Sequence, residues 1–211
     1  MLYRSINLPI KIETREDGKR YIEGYAAVFY RKEDEGTQYH LWDDLVERIA
    51  PGAFKRAIAE KDDVRALLNH EPSYLLARVG NGLNLKEDKI GLFYSFPVDS
   101  EDPDHIRTVR KIERGDMTGS SFGFIPQKRT FIEGEDNEPD VIVQEEVRLF
   151  DVSPVTYPAY EATQVGLRHL TKESMEELRK DYEYWKKEQH KPKDPLAYYK
   201  IQLLKAEAGI L

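Results

Sequence analysis

The chain contains no cysteine among its 211 residues. That absence excludes a disulfide framework, a thiol nucleophile and any zinc site built on cysteine, and it fits a reducing compartment. No long apolar run occurs either. Residues 1–15 alternate charged and apolar side chains without the uninterrupted stretch that a signal peptide or membrane span requires, so the expectation is a soluble, unexported chain. Positive charge is also short: the formal net charge is -7, which argues against a dedicated nucleic-acid binder. What the sequence does have is 40% hydrophobic and 34% charged residues, the composition of a globular domain with a heavily solvated surface. The length suits one core domain with an appendage.

The apolar pattern is mainly that of strands. Arg20 to Tyr30 is dense in aromatic and small residues and reads as a strand with Gly24 as a bulge or a point of close approach. Arg31 to Gln38 reads as an exposed loop, and Leu45 to Ile49 returns to the core. Pro51 opens a short helix in which Phe54, Ala57 and Ile58 share a face, ending near Lys61 to Asp63. From Val64, short apolar runs broken by Pro72, Gly80, Gly82 and Gly91 predict consecutive strands joined by tight turns. Ile106, Val109 and Ile112 mark one helix, stopped by Gly115. Strands resume from Met117 to Ile125 and from Val141 to Thr156, across a charged loop at Glu133 to Pro139, and the core closes near Val165. Beyond Thr171, Met175, Leu178, Tyr182 and Trp185 trace a helical face in a charged background, and Pro192 and Pro195 separate it from a second short helix carrying Leu196, Tyr199 and Leu203. The predicted organisation is a core over residues 1–170 and a helical appendage over 171–211.

Three segments could carry chemistry. In Asn69-His70-Glu71 a histidine leaves a strand at a turn announced by Pro72; it is either a general base or a strand-end histidine satisfied by a neighbouring carbonyl. Gly119-Ser120-Ser121-Phe122-Gly123-Phe124 sets two serines between glycines that allow close backbone approach; it is either a nucleophile segment or a glycine-serine irregularity in a core strand. Asp151 lies in the apolar run Leu149 to Val155, where it either orients a histidine or faces water from an edge strand. Two acid-histidine clusters, His40 with Asp43, Asp44 and Glu47, and Asp99 with Glu101, Asp104 and His105, lack a recognisable ligand spacing, and the second reads as an acidic helix start, so no metal or other cofactor is expected.

Taken together, Glu23-Gly24-Tyr25-Ala26-Ala27-Val28-Phe29, Ile49-Ala50-Pro51-Gly52-Ala53-Phe54, Leu67-Leu68-Asn69-His70, Gly115 followed by Ser120 to Phe124, and Asp151-Val152-Ser153 with Val155-Thr156 and Pro158-Ala159-Tyr160 resemble, in order, the prohead maturation serine proteases of tailed bacteriophages, relatives of the herpesvirus assemblins. The resemblance runs from about Tyr21 to Val165. It implies a mainly β, α+β fold with a closed or partly closed β-barrel core, a few flanking helices and a helical tail. It implies Ser121 as nucleophile, His70 as base and Asp151 as the third member; Ser120, Phe122 and Arg78 are oxyanion or neighbouring candidates, Arg78 as an electrostatic helper just beyond the histidine strand. Two positions depart from the pattern: Ser120 stands where relatives often have a bulkier residue, and Asp151 where they often have glutamate. The implied substrates are the scaffolding protein or the scaffolding segment of the major capsid protein, and the protease itself, cut inside the immature capsid in the host cytoplasm by a self-associating enzyme. The tail from Thr171 is then a segment for packaging or self-cleavage. No nucleic-acid or membrane partner is expected, and the competing reading is an inactive assembly scaffold of the same fold.

Overall fold

The computed structural model describes residues 1–135, 138–158 and 172–189. The predicted second short helix, the core boundary near Val165, and Ala159 and Tyr160 of the resemblance lie outside them. The chain divides into two units, Met1–Thr171 and Lys172–Leu211. In the second unit one helix is described, α3 (Lys172–Gln189), with Arg179 paired to Glu183 one turn on and the Tyr182 and Trp185 rings 6.1 Å apart.

The first unit is built on eleven strands, two α-helices and a short 3-10 turn at Glu35–Thr37 among the described residues: β1 (Leu2–Ile6), β2 (Lys11–Thr14), β3 (Arg20–Val28), β4 (Tyr39–Trp42), β5 (Leu45–Ile49), α1 (Lys55–Ala59), β6 (Arg65–Leu68), β7 (Glu71–Val79), β8 (Gly82–Glu87), β9 (Gly91–Pro97), α2 (Pro103–Glu113), β10 (Gly119–Ile132) and β11 (Asp140–Val155). Helix α2 has the signature its sequence announces: Asp102 caps it through the Asp104 N–H, Pro103 sits in its first turn, and Gly115 follows at φ 78°. The strand order is β1-β10-β11-β6-β7-β8-β9-β3-β2, with β5 added beside β11 and β4 beside β5. Pairing is mixed, since β5 and β6 both run parallel to β11 and β7 runs parallel to β8, whereas the remaining pairs are antiparallel.

The sheet is not closed into a barrel, which corrects the expectation of a closed or partly closed barrel core. Closure requires the two outermost strands to hydrogen-bond to each other. Among the described residues β1 pairs with β10 and β2 pairs with β3, and the two ends of the path do not meet. Instead the sheet folds over so that β3 and β9 lie against β10: Gly24 and Tyr94 both face Ser120, and the register irregularity in β3 falls at Tyr25/Ala27 beyond the glycine. Between these layers lies an aromatic core, in which Phe54 meets Phe122 edge-on at 5.5 Å and Phe122 stacks on Phe124 at 4.9 Å. These three rings are fully buried; each contributes roughly 1.5–3 kcal/mol through removal of its surface from water.

Candidate active site

Three adjacent strands, β10, β11 and β6, carry or deliver the three segments singled out in the sequence. On β10, side chains alternate between faces, so Ser120 and Ser121 point in opposite directions. Ser120 is fully buried on the core side, where its Oγ lies 2.8 Å from the Tyr94 hydroxyl. Ser121 faces the other way. The β10–β11 register sets Ser121 opposite Ser153 and Gly123 opposite Asp151, which brings the carboxylate to the serine's face.

His70 arrives from the end of β6. Asn69 and His70 occupy the left-handed region at φ 55° and 59°, a conformation that costs a non-glycine residue roughly 1–3 kcal/mol. Hydrogen bonds to β11 hold this turn: the Asn69 N–H donates to the Pro154 carbonyl at 3.0 Å, the Thr156 N–H donates to the Asn69 side-chain oxygen at 2.8 Å, and the His70 N–H donates to Ser153 Oγ at 3.2 Å. The strained turn aims the imidazole back across β11.

There His70 Nδ1 lies 2.5 Å from Asp151 Oδ1 and Nε2 lies 2.6 Å from Ser121 Oγ. An ionised carboxylate can only accept, so Nδ1 carries the proton and the Nε2 lone pair faces the serine. Ser121 Oγ also lies 2.9 Å from the Arg4 carbonyl oxygen, so its single proton has two acceptors. The site is enclosed: Ser121 is 0% exposed, and the side chains of His70 and Asp151 are each 5% exposed. Tyr3, across from Gly123 on β1, covers it with a ring 4.3 Å from the imidazole. Burial and the Asp151 charge push the Tyr3 phenol up, so it remains neutral at physiological pH. Gly123 is needed beside the carboxylate, since a Cβ there would run into Asp151 Oδ2 and the Tyr3 ring.

The other candidates lie apart from this constellation. The Phe122 side chain belongs to the aromatic core, and Arg78, half exposed, pairs with Asp63 at 2.5 Å. In the acid-histidine clusters, Glu47 is buried against Arg4, and both His105 nitrogens are engaged, with the Leu76 carbonyl at 2.7 Å and the Asp99 N–H at 3.1 Å. No group of three or more histidine and acidic side chains poised for a metal occurs among the described residues. Tyr3, Arg4 and Ser153 were not singled out from the sequence. Ser153 had a signal, because Asp-x-Ser on a strand puts both side chains on one face. Arg4 and Tyr3 had none, because the strand that carries them does not announce itself.

A family described as Caudovirus prohead serine protease matches residues 7–181. Among solved structures, the bacteriophage T4 capsid assembly protease aligns with a TM-score of 0.46 and 12% identity, over 74% of this chain and 97% of that one. No curated protein matches.

Proposed function

The chain belongs to the Caudovirus prohead serine protease family, and from that premise we propose that it is an endopeptidase whose Ser121, His70 and Asp151 form the catalytic triad. The observation that carries this reading is the bridging imidazole, 2.6 Å from a serine hydroxyl on one side and 2.5 Å from a buried carboxylate on the other. In the reaction, Ser121 Oγ attacks the scissile carbonyl carbon while its proton passes to His70 Nε2. Collapse of the tetrahedral intermediate breaks the C–N bond, and the same proton leaves with the amine. Water, deprotonated by the same nitrogen, then attacks the acyl carbon, and collapse breaks the bond to Ser121 Oγ as the proton returns from Nε2 to that oxygen, releasing the acid and restoring the enzyme. Asp151 keeps the Nδ1 tautomer throughout and stabilises the transient imidazolium.

The substrates we propose are the scaffolding protein or scaffolding segment of the major capsid protein, together with this chain's own tail, cut inside the immature shell. Confinement supports weak-subsite cleavage, because enclosure replaces affinity with effective concentration. The test is co-expression with the major capsid protein followed by intact mass measurement, for wild type and Ser121→Ala. A defined capsid segment lost only with wild type is the expected result. Equal processing by the alanine variant would remove Ser121 from the mechanism, and uncut capsid protein in assembled shells with both would favour the scaffold reading.

A further inference from the structure

Ser153 is fully buried, and its hydroxyl touches the two partners of the proposed triad that must be held in fixed relation. Its Oγ lies 2.9 Å from Asp151 Oδ1 and 3.2 Å from the His70 backbone nitrogen. The chemistry of these neighbours leaves one arrangement. A carboxylate only accepts and a backbone N–H only donates, so the serine's proton goes to Asp151 and a lone pair receives the His70 N–H. Asp151 Oδ1 thereby accepts from both Ser153 and His70 Nδ1. We infer that Ser153 is a positioning residue for the proteolytic reaction, a hydroxyl that fixes the plane of the Asp151 carboxylate and the backbone of the His70 turn through a single hydrogen-bonded node.

The inference rests on the triad reading and adds to it. A carboxylate joined to its strand through one rotatable bond beyond Cβ can turn away from Nδ1; here Ser153 holds Oδ1 from one side, and the missing side chain of Gly123 leaves room for Oδ2 on the other. The His70 turn has the opposite requirement. With Asn69 and His70 both at positive φ, its backbone needs external partners, and Ser153 supplies the one at the histidine itself. Loss of the hydroxyl therefore loosens the carboxylate and the imidazole at once. Neither group reacts with substrate through Ser153, so its removal acts through geometry.

The test is the rate of covalent labelling by a fluorophosphonate, measured on the full chain for wild type, Ser121→Ala, Ser153→Ala, Ser153→Thr and Ser153→Val, with melting temperature recorded for each. Labelling at saturating probe is expected to fall ~10- to 100-fold in the alanine variant with the probe's half-saturation concentration unchanged, the size of effect that misplacement of a catalytic group produces. Threonine and valine have nearly the same volume and differ by the hydroxyl, so threonine is expected to label within about threefold of wild type and valine to match alanine. A hydroxyl that served packing alone would leave threonine and valine equal, and that equality, or wild-type labelling by the alanine variant, would overturn the inference. Should Ser121→Ala label like wild type, the triad reading itself falls; should it be inert while all the Ser153 variants label normally, the triad stands and the role of Ser153 does not.

Discussion

Ser120 and Ser121 are chemically identical neighbours with opposite environments, so they make a paired prediction. Ser120 shares a hydrogen bond with Tyr94, whose phenol burial pushes well above its ordinary range and so keeps neutral. In Ser120→Ala that buried hydroxyl loses its partner, and stability is expected to drop by about 1–3 kcal/mol in denaturant unfolding, the cost of stranding a buried polar group. Capsid cleavage by the folded Ser120→Ala protein should stay within about threefold of wild type, whereas Ser121→Ala should lose several orders of magnitude, on the order of triad deletions generally. Abolished cleavage in the Ser120 variant would reverse the assignment of the nucleophile. The segment was legible in the sequence as a candidate nucleophile, and the choice of Ser121 over Ser120 rested on the resemblance. Which face meets His70 was not legible, because that depends on the β10–β11 register and on a two-residue left-handed turn that no glycine announces.

Strands and helices with clean periodicity were read close to their observed bounds: β3, β5, β6, β8, β9, α2 and the described helix of the second unit each follow an apolar pattern bounded by turn residues, whereas β7 starts at Glu71 and runs through Pro72, which reads in the sequence as a break. β1 escaped because one of its inward positions is Arg4, so a buried face reads as a mixed one. β10 runs on to Ile132, well past the predicted Ile125, because Pro126 reads as a strand end although a register irregularity at Pro126/Lys128 accommodates it. The hairpin of β8 and β9 offers a prediction in pH. Asp88, in its turn, accepts from the Ile90 N–H at 2.8 Å and from the Tyr25 hydroxyl of β3 at 2.8 Å. Burial, then the hydrogen bond and charge of Asp88, raise the Tyr25 phenol to about 12. An acid whose folded value is raised stabilises the fold fully below its unfolded value of about 10, and that contribution disappears as pH climbs through about 12. The stability gap between wild type and Tyr25→Phe, followed by urea unfolding, should therefore be constant from pH 7 to 9 and close toward pH 12. A gap that persists unchanged through pH 12 would detach Tyr25 from this linkage.

The whole molecule is where the sequence was least informative, because closure of a sheet is decided by which distant edges meet, and apolar alternation is the same in a closed and an open sheet. The apolar pattern pointed to a mainly β core with helices; the folded-over open sheet required the pairings themselves. One long-range tie helps hold that arrangement. Arg4 on β1 forms an ion pair with Glu47 on β5, side chains 4% and 0% exposed, and Gln144 on β11 donates to the other Glu47 oxygen at 2.8 Å. Strands far apart in sequence thus share one buried charged cluster, and the same Arg4 offers its carbonyl to Ser121. Removing one member leaves its partner charged and buried, so Glu47→Leu alone is expected to destabilise the full chain by about 3–5 kcal/mol in urea unfolding. Replacing both charges, Arg4→Met with Glu47→Leu, removes the uncompensated charge and should recover most of that loss, since a buried pair contributes little net beyond what apolar packing of similar volume supplies. The coupling between the two substitutions is therefore predicted to be large and favourable. Additive losses would mean that Arg4 and Glu47 act independently, and β1 would then owe its place to its backbone pairing with β10 and to the buried Leu2 and Ile6 rather than to the ion pair.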